Sequence, residues 1–311
     1  MSKVSIILSA YNGERYIKEQ IESIMSSVFK DFTLYVFDDC STDSTFDIVS
    51  DMASQYGDRL VLMRNEVNRG STLSFLNGLK HVNATAPTPY YMFCDQDDVW
   101  LMDKIGISLK AICKIEHRRR QGKPVLVFTD AIIVGDDKEY ISRSFHKTNH
   151  MKVRKHDFAH VLMENKGMGC TMIMNRALVD LVSQTGPDIR YHDWWMSLIA
   201  SSFGIIRYVR IPTMLYRQHA SNQVGQTSFK DYIQRRTGKK AEIRQRLKIT
   251  YAQAAYFKTV YYDRLSRRKK ARLNSFIRLE SAGFLRRRWI VIRNRFYKSG
   301  LVRNIGLLFY I

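Results

Sequence analysis

Apolar runs of strand length alternate with helical periodicity over the first hundred residues of this 311-residue chain. The strand-like runs are residues 4–9, 33–37, 60–63 and 90–93. Between them, apolar side chains recur every three or four positions, which is the spacing of a helix with one buried face. Strand and helix therefore alternate four times. This order predicts an α/β fold with a mostly parallel sheet and helices on both of its faces.

The pattern is less regular after Trp100. The elements predicted there are a helix at 105–115, a strand at 125–128, a helix from His192 and a strand at 205–211. Residues 135–166 are polar and poor in pattern, and we expect a loop. The small residues of 167–172 allow either a close approach of backbone to a ligand or a strand with a glycine bulge. Asp193, at the start of its helix, is a candidate N-cap.

Charge divides the chain into two parts. The whole chain carries +21, but residues 227–311 hold 23 Lys and Arg against four acidic residues, so this region contributes +19 and residues 1–226 contribute +2. The basic region predicts helices at 232–247 and 251–265 and a last helix from Phe284. We therefore predict a globular domain at 1–226 and a basic helical region at 227–311.

The last helix has an apolar stripe beside many arginines. Leu285, Trp289, Ile292 and Phe296 recur at helical spacing among Arg286, Arg287, Arg288, Arg293, Arg295 and Lys298. Such a stripe is typical of a helix that lies on an anionic membrane surface, although packing against the globular domain gives the same spacing. Nucleic-acid binding also uses Lys, Arg and aromatic residues, but a carboxylate-rich crevice would repel a polyanion.

Cysteine use and hydropathy indicate the compartment. The four cysteines have no Cys-x-x-Cys spacing, no signal peptide precedes the first strand, and no apolar run is long enough to span a bilayer. We expect a reduced, cytoplasmic protein that associates peripherally with the inner face of the plasma membrane. The oligomeric state is not predicted.

Each of the first four predicted strands is followed at once by polar residues. They are Tyr11 and Asn12, Asp38 and Asp39, Asn68 and Arg69, and Asp95 and Asp97. The carboxyl ends of parallel strands share one crevice, so these residues are expected to surround one ligand. Asp39 suits the N–H of a pyrimidine, Arg69 suits a phosphate, and Asp95 with Asp97 suits Mg²⁺ or Mn²⁺ bridging two phosphates. The Gly-x-Gly-x-x-Gly and P-loop patterns are both missing, which argues against a dinucleotide or a nucleoside triphosphatase site.

These motifs, in this order, resemble family 2 glycosyltransferases of the GT-A fold, a Rossmann-like α/β architecture. The resemblance covers residues 1–226 and rests on Ser9-Ala10-Tyr11-Asn12-Gly13-Glu14, Phe37-Asp38-Asp39-Cys40-Ser41-Thr42-Asp43, Asn68-Arg69-Gly70 and Phe93-Cys94-Asp95-Gln96-Asp97-Asp98. Cys40 stands where glycine is more usual. Asp-Gln-Asp-Asp-Val-Trp at 95–100, with the later His192-Asp193-Trp194-Trp195 and Leu215-Tyr216-Arg217-Gln218-His219, looks most like bacterial rhamnosyltransferases of surface polysaccharide synthesis.

The resemblance places nucleotide binding in residues 1–97 and the acceptor side in residues 98–226, and it implies roles for particular residues. Asp193 matches the catalytic base, His219 joins Asp95 and Asp97 around the cation, and Arg217 or Arg69 faces the leaving diphosphate. The expected nucleotide-binding residues are Ser9, Tyr11, Asn12, Glu14, Asp38, Asp39, Ser41, Arg69, Gly70, Asp95 and Gln96. The residues expected around the donor sugar, the acceptor or the leaving group are Asp98, Trp100, Cys170, Thr171, His192, Trp194 and Arg217.

The resulting hypothesis is an inverting, metal-dependent transferase that moves L-rhamnose from dTDP-L-rhamnose to a lipid-linked glycan. The chain lacks the Gln-x-x-Arg-Trp sequence of processive family members, which favours the addition of one or a few sugars. Alternatives are another UDP- or dTDP-sugar as donor, a nucleotidyltransferase, which also needs paired aspartates and a metal, and a noncatalytic basic protein that binds nucleic acid or membrane.

Overall fold

The central feature is one nine-stranded sheet. We analysed a computed structural model, which describes residues 3–119, 122–151, 153, 155–219 and 240–311. The strands are β1 (Val4–Ala10), β2 (Phe32–Asp38), β3 (Leu60–Arg64), β4 (Tyr90–Cys94), β5 (Val99–Trp100), β6 (Val125–Val134), β7 (Tyr140–Ser142), β8 (Met172–Asn175) and β9 (Ile205–Arg217).

The order of the strands is β3-β2-β1-β4-β8-β6-β9-β5, with β7 beside β6. The first four strands are parallel, as the alternation of strand and helix predicts, and β6 is parallel to β9. β8 is antiparallel to both of its neighbours, and β5 is antiparallel to β9. The predicted α/β fold with a mostly parallel sheet is therefore confirmed, with antiparallel strands added in its second half.

Helices cover both faces of the sheet. They are α1 (Ile17–Met25), α2 (Thr45–Tyr56), α3 (Ser71–Thr85), α4 (Lys104–Arg119), α5 (Phe145–Thr148), α6 (Phe158–Met163), α7 (Arg176–Val179), α8 (His192–Phe203), α9 (Lys240–Tyr261), α10 (Arg267–Ile277), α11 (Phe284–Asn294) and α12 (Leu301–Tyr310). Short 3₁₀ turns lie at Gly57–Arg59, Gly169–Thr171 and Tyr262–Arg264. None of the helices in the described ranges has the length and hydrophobicity needed to cross a bilayer.

Several predicted bounds were wrong. β6 continues six residues beyond Phe128, to Val134. Register shifts after Phe128 and after Asp130 interrupt its pairing with β9, but the two strands remain paired to Val134. The stretch 135–166, predicted as a loop, contains β7, α5 and α6, which are too short to show a period in the sequence. The predicted break between helices 232–247 and 251–265 does not exist, since α9 runs unbroken through it. The first part of that prediction and the boundary at 226/227 lie outside the described residues.

The core has two layers, one on each face of the sheet. α1 and α4 pack on one face, around buried residues such as Ile21 and Ile112. On the other face, α3 and α8 share one continuous cluster with the C-terminal helices. Phe257 of α9 is fully buried there, with its ring centroid 5.3 Å from that of Trp195 in α8. The basic C-terminal helices are therefore part of the folding core and not an appended tail.

We expect Phe257→Ala to lower the free energy of unfolding by about 3–5 kcal/mol, because it removes a buried ring and leaves a cavity. The measurement is chemical denaturation, followed at the tryptophans. Phe309→Ala serves as the control, because that ring is 73% exposed and its loss should change the free energy little. Equal effects of the two substitutions would contradict the shared core.

Candidate active site

A pocket of about 1080 Å³ opens at the carboxyl ends of β1, β2 and β4. The segment 163–170, the start of α8 and one face of α9 complete its walls. Thirteen of the predicted site residues line it: Ser9, Tyr11, Asn12, Asp39, Gly70, Asp95, Gln96, Asp97, Cys170, His192, Asp193, Trp194 and His219. These thirteen residues, up to 210 positions apart in the sequence, therefore line one pocket. The carboxyl ends of parallel strands lie at one edge of the sheet, which explains why the residues after β1, β2 and β4 meet there.

Hydrogen bonds between strand ends fix the floor of the pocket. The backbone N–H of Tyr11 donates to Oε1 of Gln96 at 2.8 Å, and Nε2 of Gln96 donates to the carbonyl of Tyr11 at 3.1 Å. The N–H of Asn12 donates to Oγ of Ser41 at 3.0 Å. The strand ends of β1, β2 and β4 are therefore held to one another, and the aspartates that follow them have fixed positions.

Asp39 organises the loop that follows β3. Its carboxylate accepts hydrogen bonds from the backbone N–H groups of Arg69 and Gly70, at 2.8 to 3.1 Å, and from Nδ2 of Asn65 at 2.6 Å. Gly70 has φ +73°, a left-handed conformation that suits glycine. Cys40 also has a positive φ, +66°, which explains why glycine is more usual there, and its Sγ contacts the carbonyl of Asn65 at 3.0 Å.

The other eight predicted residues do not line the pocket: Glu14, Asp38, Ser41, Arg69, Asp98, Trp100, Thr171 and Arg217. Asp38 accepts from the N–H of Ser41 and forms an ion pair with Arg64 at 3.2 Å, so it holds the turn after β2. Arg69 contributes its backbone N–H to Asp39, while its side chain is exposed. Glu14 accepts from the N–H of Ser44 at 3.0 Å.

Arg217 is buried among groups that hold it behind the aspartates. Its Nε donates to the carbonyl of Asp97 at 2.9 Å, its Nη2 forms an ion pair with Glu19, and its N–H donates to Oδ1 of Asp98 at 3.1 Å. The guanidinium therefore shapes the turn that presents Asp97. The structure does not place it in the pocket beside His219, although the two residues are only two positions apart.

Asp95, Asp97 and His219 line the same part of the pocket, and Nε2 of His219 lies 2.8 Å from Oδ2 of Asp97. Burial and the charge of Asp97 raise the pKa of Asp95 to about 7. Two crowded carboxylates with an imidazole beside them are hard donors of the kind that bind Mg²⁺ or Mn²⁺, so this donor set fits such an ion.

A second cluster lies beneath the first. Potential ligand atoms of Asp95, Asp98 and Cys170 all lie within 4.8 Å of one another. Burial raises the pKa of the Cys170 thiol well above its usual value, so the thiol stays protonated. Lys104 is fully buried nearby, with its Nζ 4.7 Å from the ring centroid of Trp100. A protonated thiol is a poor ligand for a hard cation, and this cluster supports the pocket from below.

Asp193 is the second residue of α8 and faces the pocket. The N-cap of α8 is Tyr191, so the prediction that Asp193 caps the helix was wrong. Oδ1 of Asp193 accepts from the N–H of Trp194 at 2.6 Å, and the N–H of Gly169 and the side chain of Asn165 also stabilise its charge. Burial outweighs these bonds and raises the pKa of Asp193 to about 7. A carboxylate with that pKa is suited to accept a proton near neutral pH.

Gly169 leaves room for the residues around Asp193. A methyl group at this glycine would lie 2.3 Å from Nε2 of His192, so no larger residue fits without a shift. His192 stacks on Phe75 with ring centroids 4.1 Å apart, and burial lowers its pKa to about 3, which keeps it neutral. The small residues at 167–172 therefore allow close packing, and the segment forms a 3₁₀ turn followed by β8.

Sequence reasoning missed one whole wall of the pocket. Arg190, the connecting residue Lys298 and one face of α9 line it. Arg190 lies two residues before the His192-Asp193 motif, and this closeness in sequence was an available signal. The face of α9 gave no such signal, because a basic, amphipathic helix has the same sequence pattern whether it covers a pocket or faces water.

Comparisons with known proteins agree with this geometry. The sequence profile of glycosyl transferase family 2 matches residues 5–161. The dTDP-rhamnosyl transferase RfbG of Shigella flexneri is 30% identical over 228 residues, which cover 70% of this chain and 73% of that protein. The Escherichia coli UDP-Glc:alpha-D-GlcNAc-diphosphoundecaprenol beta-1,3-glucosyltransferase WfaP is 24% identical over 234 residues, which cover 75% of this chain and 84% of WfaP.

The fold is also found in a crystal structure of S. aureus TarS 1–349 in complex with UDP-GlcNAc. The TM-score is 0.56 at 16% sequence identity, and the match covers 90% of this chain and 71% of that one. This likeness confirms the predicted GT-A architecture. Fold, strand-end motifs and sequence relatives lead to one assignment: this chain belongs to glycosyl transferase family 2.

Proposed function

We propose that this chain is an inverting transferase that moves a sugar from a nucleotide sugar to a lipid-linked glycan in polysaccharide synthesis. One observation carries the proposal: Asp193 lines the same pocket as Asp95 and Asp97, and its charge contributes to the raised pKa of Asp95. A candidate base therefore faces the aspartates that suit a cation and a diphosphate. Membership of the family supplies the class of reaction.

The proposed donor is dTDP-L-rhamnose. The support is the resemblance of the Asp95–Trp100 motif to rhamnosyltransferases and the 30% identity to a protein described as a dTDP-rhamnosyl transferase. In this proposal Asp39 accepts the N3–H of the thymine. Its carboxylate already holds the 65–70 loop, so binding of the base would exchange one of those hydrogen bonds and couple the loop to the nucleotide.

The proposed chemistry is a single displacement. The oxygen of the acceptor hydroxyl attacks the anomeric carbon, the bond from that carbon to the diphosphate oxygen breaks, and the diphosphate leaves with the electron pair. Asp193 accepts the hydroxyl proton, and attack on the face opposite the diphosphate inverts the anomeric centre. A Mg²⁺ or Mn²⁺ held by Asp95 and Asp97, with His219 beside them, would neutralise the charge of the departing diphosphate.

We expect Asp193→Asn to reduce sugar transfer by at least about 100-fold, because the amide cannot accept the proton. The pH profile of kcat/KM gives a second readout. A base accepts a proton only when ionised, and the pKa of Asp193 is about 7, so wild-type activity should fall as the pH drops through 7. With Mn²⁺ at saturation across the pH range, so that Asp95 stays ionised, the residual activity of the variant should lack this dependence.

Asp188→Asn is a matched control, since it removes an exposed carboxylate five residues earlier in the chain. It should leave transfer and its pH profile unchanged. The affinity of Asp193→Asn for dTDP should also stay within about twofold of the wild type, because the nucleotide-binding residues are intact. Transfer by Asp193→Asn at the wild-type rate would refute the assignment of the base.

Donor and cation can be tested together by thermal stabilisation. We expect dTDP-L-rhamnose with Mn²⁺ to raise Tm more than UDP-glucose with Mn²⁺, and EDTA to remove most of the effect.

The pKa of Asp95 is raised from 3.8 to about 7, so the folded state holds this proton more tightly and loses stability as the pH rises from about 4 to 7. Mn²⁺ offsets the repulsion, so its stabilising effect should be larger at pH 8 than at pH 5.

Asp97→Asn should abolish the increment due to Mn²⁺, whereas Asp58→Asn, at an exposed carboxylate outside the pocket, should retain it. The product formed from the nucleotide gives an independent check. Release of dTDP supports the transferase, while release of pyrophosphate would identify a nucleotidyltransferase instead.

A membrane-bound acceptor is the second part of the proposal. α11 and α12 expose an apolar surface that comprises Phe284, Leu285, Trp289, Ile292, Leu301, Val302, Ile305 and Phe309. Leu285 is 78% exposed and Phe309 is 73% exposed. Arginines lie beside this apolar surface. One of them is Arg293, whose Cζ lies 5.0 Å from the ring centroid of Trp289. We propose that this α11–α12 apolar surface lies on an anionic membrane.

The structure changes the predicted stripe in two ways. Phe296 is fully buried, packed edge to face on Phe276 with ring centroids 5.0 Å apart, so it belongs to the core and not to the membrane-facing stripe. α12, which the sequence prediction missed, supplies four of the eight exposed apolar residues instead.

We expect the double variant Leu285→Ser/Trp289→Ser to bind phosphatidylglycerol vesicles at least about 10-fold more weakly, since each exposed side chain would otherwise be buried in lipid. Sedimentation of the protein with vesicles measures the binding. Val28→Ser/Tyr140→Ser is the control, with side chains 70% and 67% exposed on the α/β part of the chain. Equal loss in both double variants, or in neither, would contradict a defined membrane surface.

A further inference from the structure

The C-terminal helices form one end of the pocket. Glu242, Ile243, Arg246, Leu247 and Thr250 of α9 line it, at positions that fall on one side of a helix. Lys298, in the connection between α11 and α12, lines it as well. This end is built from a part of the chain that the strand-end motifs do not include, so it needs an explanation of its own.

This end is basic. Four cationic side chains line it: Lys166, Arg190, Arg246 and Lys298. It also contains two carboxylates, and each has a cationic partner. Oε1 of Glu164 accepts from Nη1 of Arg303 at 3.0 Å and its Oε2 accepts from the N–H of Ser299 at 2.7 Å, while Glu242 forms an ion pair with Arg246 at 2.6 Å. Positive charge therefore exceeds negative charge at this end.

The cationic groups are held in place by the fold. Nη1 of Arg190 donates to the carbonyl of Arg246 at 3.1 Å and to Oγ1 of Thr250 at 2.8 Å, and its Cζ lies 5.3 Å from the ring centroid of Trp194. Lys166 is 7% exposed, and burial lowers its pKa. Burying the Lys166 cation costs solvation free energy, which an anionic ligand would offset, whereas Arg246 is exposed and Arg190 and Lys298 are half-buried. Such an arrangement is typical of a phosphate-binding site.

The donor does not account for this end of the pocket. The donor diphosphate and its cation belong beside Asp95 and Asp97, at the strand ends. The pocket volume, about 1080 Å³, lies at the upper limit of about 1,000 Å³ for sites that hold one small molecule, so a second ligand has room. A second anion, bound directly by side chains, fits the basic end.

The position of this end suggests which anion it binds. Arg190 comes three residues before Asp193, the proposed base, and both line the pocket. Lys298 also lines it and lies in the connection between the two helices of the α11–α12 apolar surface. A lipid-linked glycan has the same order of parts: a reacting hydroxyl, a sugar, a diphosphate and a hydrocarbon chain.

Resting on the function proposed above, we propose that Arg190, Arg246, Lys298 and Lys166 bind the diphosphate of the lipid-linked acceptor. The sugar then reaches Asp193, and the hydrocarbon chain follows the α11–α12 apolar surface into the membrane. The shared chemistry is a phosphate ester on a lipid, so a phospholipid headgroup is the competing source that the experiment must separate.

The probe is farnesyl diphosphate, titrated calorimetrically into the full-length protein with dTDP and Mg²⁺ at saturation, so that the donor site is occupied. Wild-type protein should bind farnesyl diphosphate at least about 10-fold more tightly than farnesol. In Arg246→Gln/Lys298→Gln, the Kd for farnesyl diphosphate should rise about 10- to 100-fold, because two charge-assisted contacts are lost.

The matched control is Arg244→Gln/Lys248→Gln, which removes the same charge from exposed positions of α9 that do not line the pocket. Its Kd for farnesyl diphosphate should stay within about twofold of the wild type. Equal weakening in the two double variants would overturn the site, and so would equal affinity for farnesol and farnesyl diphosphate.

Two further readouts separate the remaining possibilities. Binding to phosphatidylglycerol vesicles should be the same in both double variants. If only Arg246→Gln/Lys298→Gln loses vesicle binding, and its Kd for farnesyl diphosphate does not change, these residues bind phospholipid headgroups and the proposal is refuted.

The affinity for dTDP should be unchanged in all proteins. If the wild type transfers sugar but shows no preference for the diphosphate, the acceptor site fails and the transferase stands. If the wild type binds no nucleotide, the transferase itself fails.

Discussion

The crowding of carboxylates in a partly enclosed pocket is the constraint on which the rest of the site depends. Burial raises the pKa of Asp95 and of Asp193 to about 7, and the charge of Asp97 adds to the shift at Asp95. Such crowding is unfavourable, and it persists because the fully buried strand residues before it, such as Phe93, fix where the chain emerges. In the proposed reaction, a cation at Asp95 and Asp97 and a proton-donating substrate at Asp193 are the partners that relieve this crowding.

The sequence was informative wherever a periodic pattern determined the structure. Strand and helix periods predicted the parallel half of the sheet, and parallel topology alone predicted that Asp39 and Asp95 would meet. The sequence could not show which of two adjacent aspartates enters the pocket. Neighbouring residues of an extended chain point in opposite directions, so only one of the two can face the ligand, and the motif does not say which. Asp38 turns back to Arg64, while Asp39 lines the pocket. The pairs Asp97 and Asp98, and Arg217 and His219, are divided in the same way by backbone turns that no motif records.

The C-terminal region shows a different limit. An apolar stripe on a helix has the same spacing whether it packs on a core or faces away from it. The stripe of α11 is divided between the two: Phe296, just after the end of the helix, is buried, while Leu285 is 78% exposed. The contact that makes α9 a wall of the pocket joins residues far apart in sequence, since the N–H of Arg190 donates to Oε1 of Gln253 at 2.9 Å. Long-range contacts of this kind depend on the whole fold and leave no local signal in a single sequence.

Residues 227–311 contribute +19, and two of their cationic side chains, Arg246 and Lys298, line the basic end of the pocket. A transferase that acts on a lipid diphosphate must hold two diphosphates in one volume without their repelling each other. Acidic strand ends can bind the diphosphate of the donor only through a cation. Basic side chains can bind the diphosphate of the acceptor directly. In the proposed function, the same excess of positive charge attracts the α11–α12 apolar surface to an anionic bilayer. In the proposed function, one basic region serves both the acceptor and the membrane in which the acceptor lies.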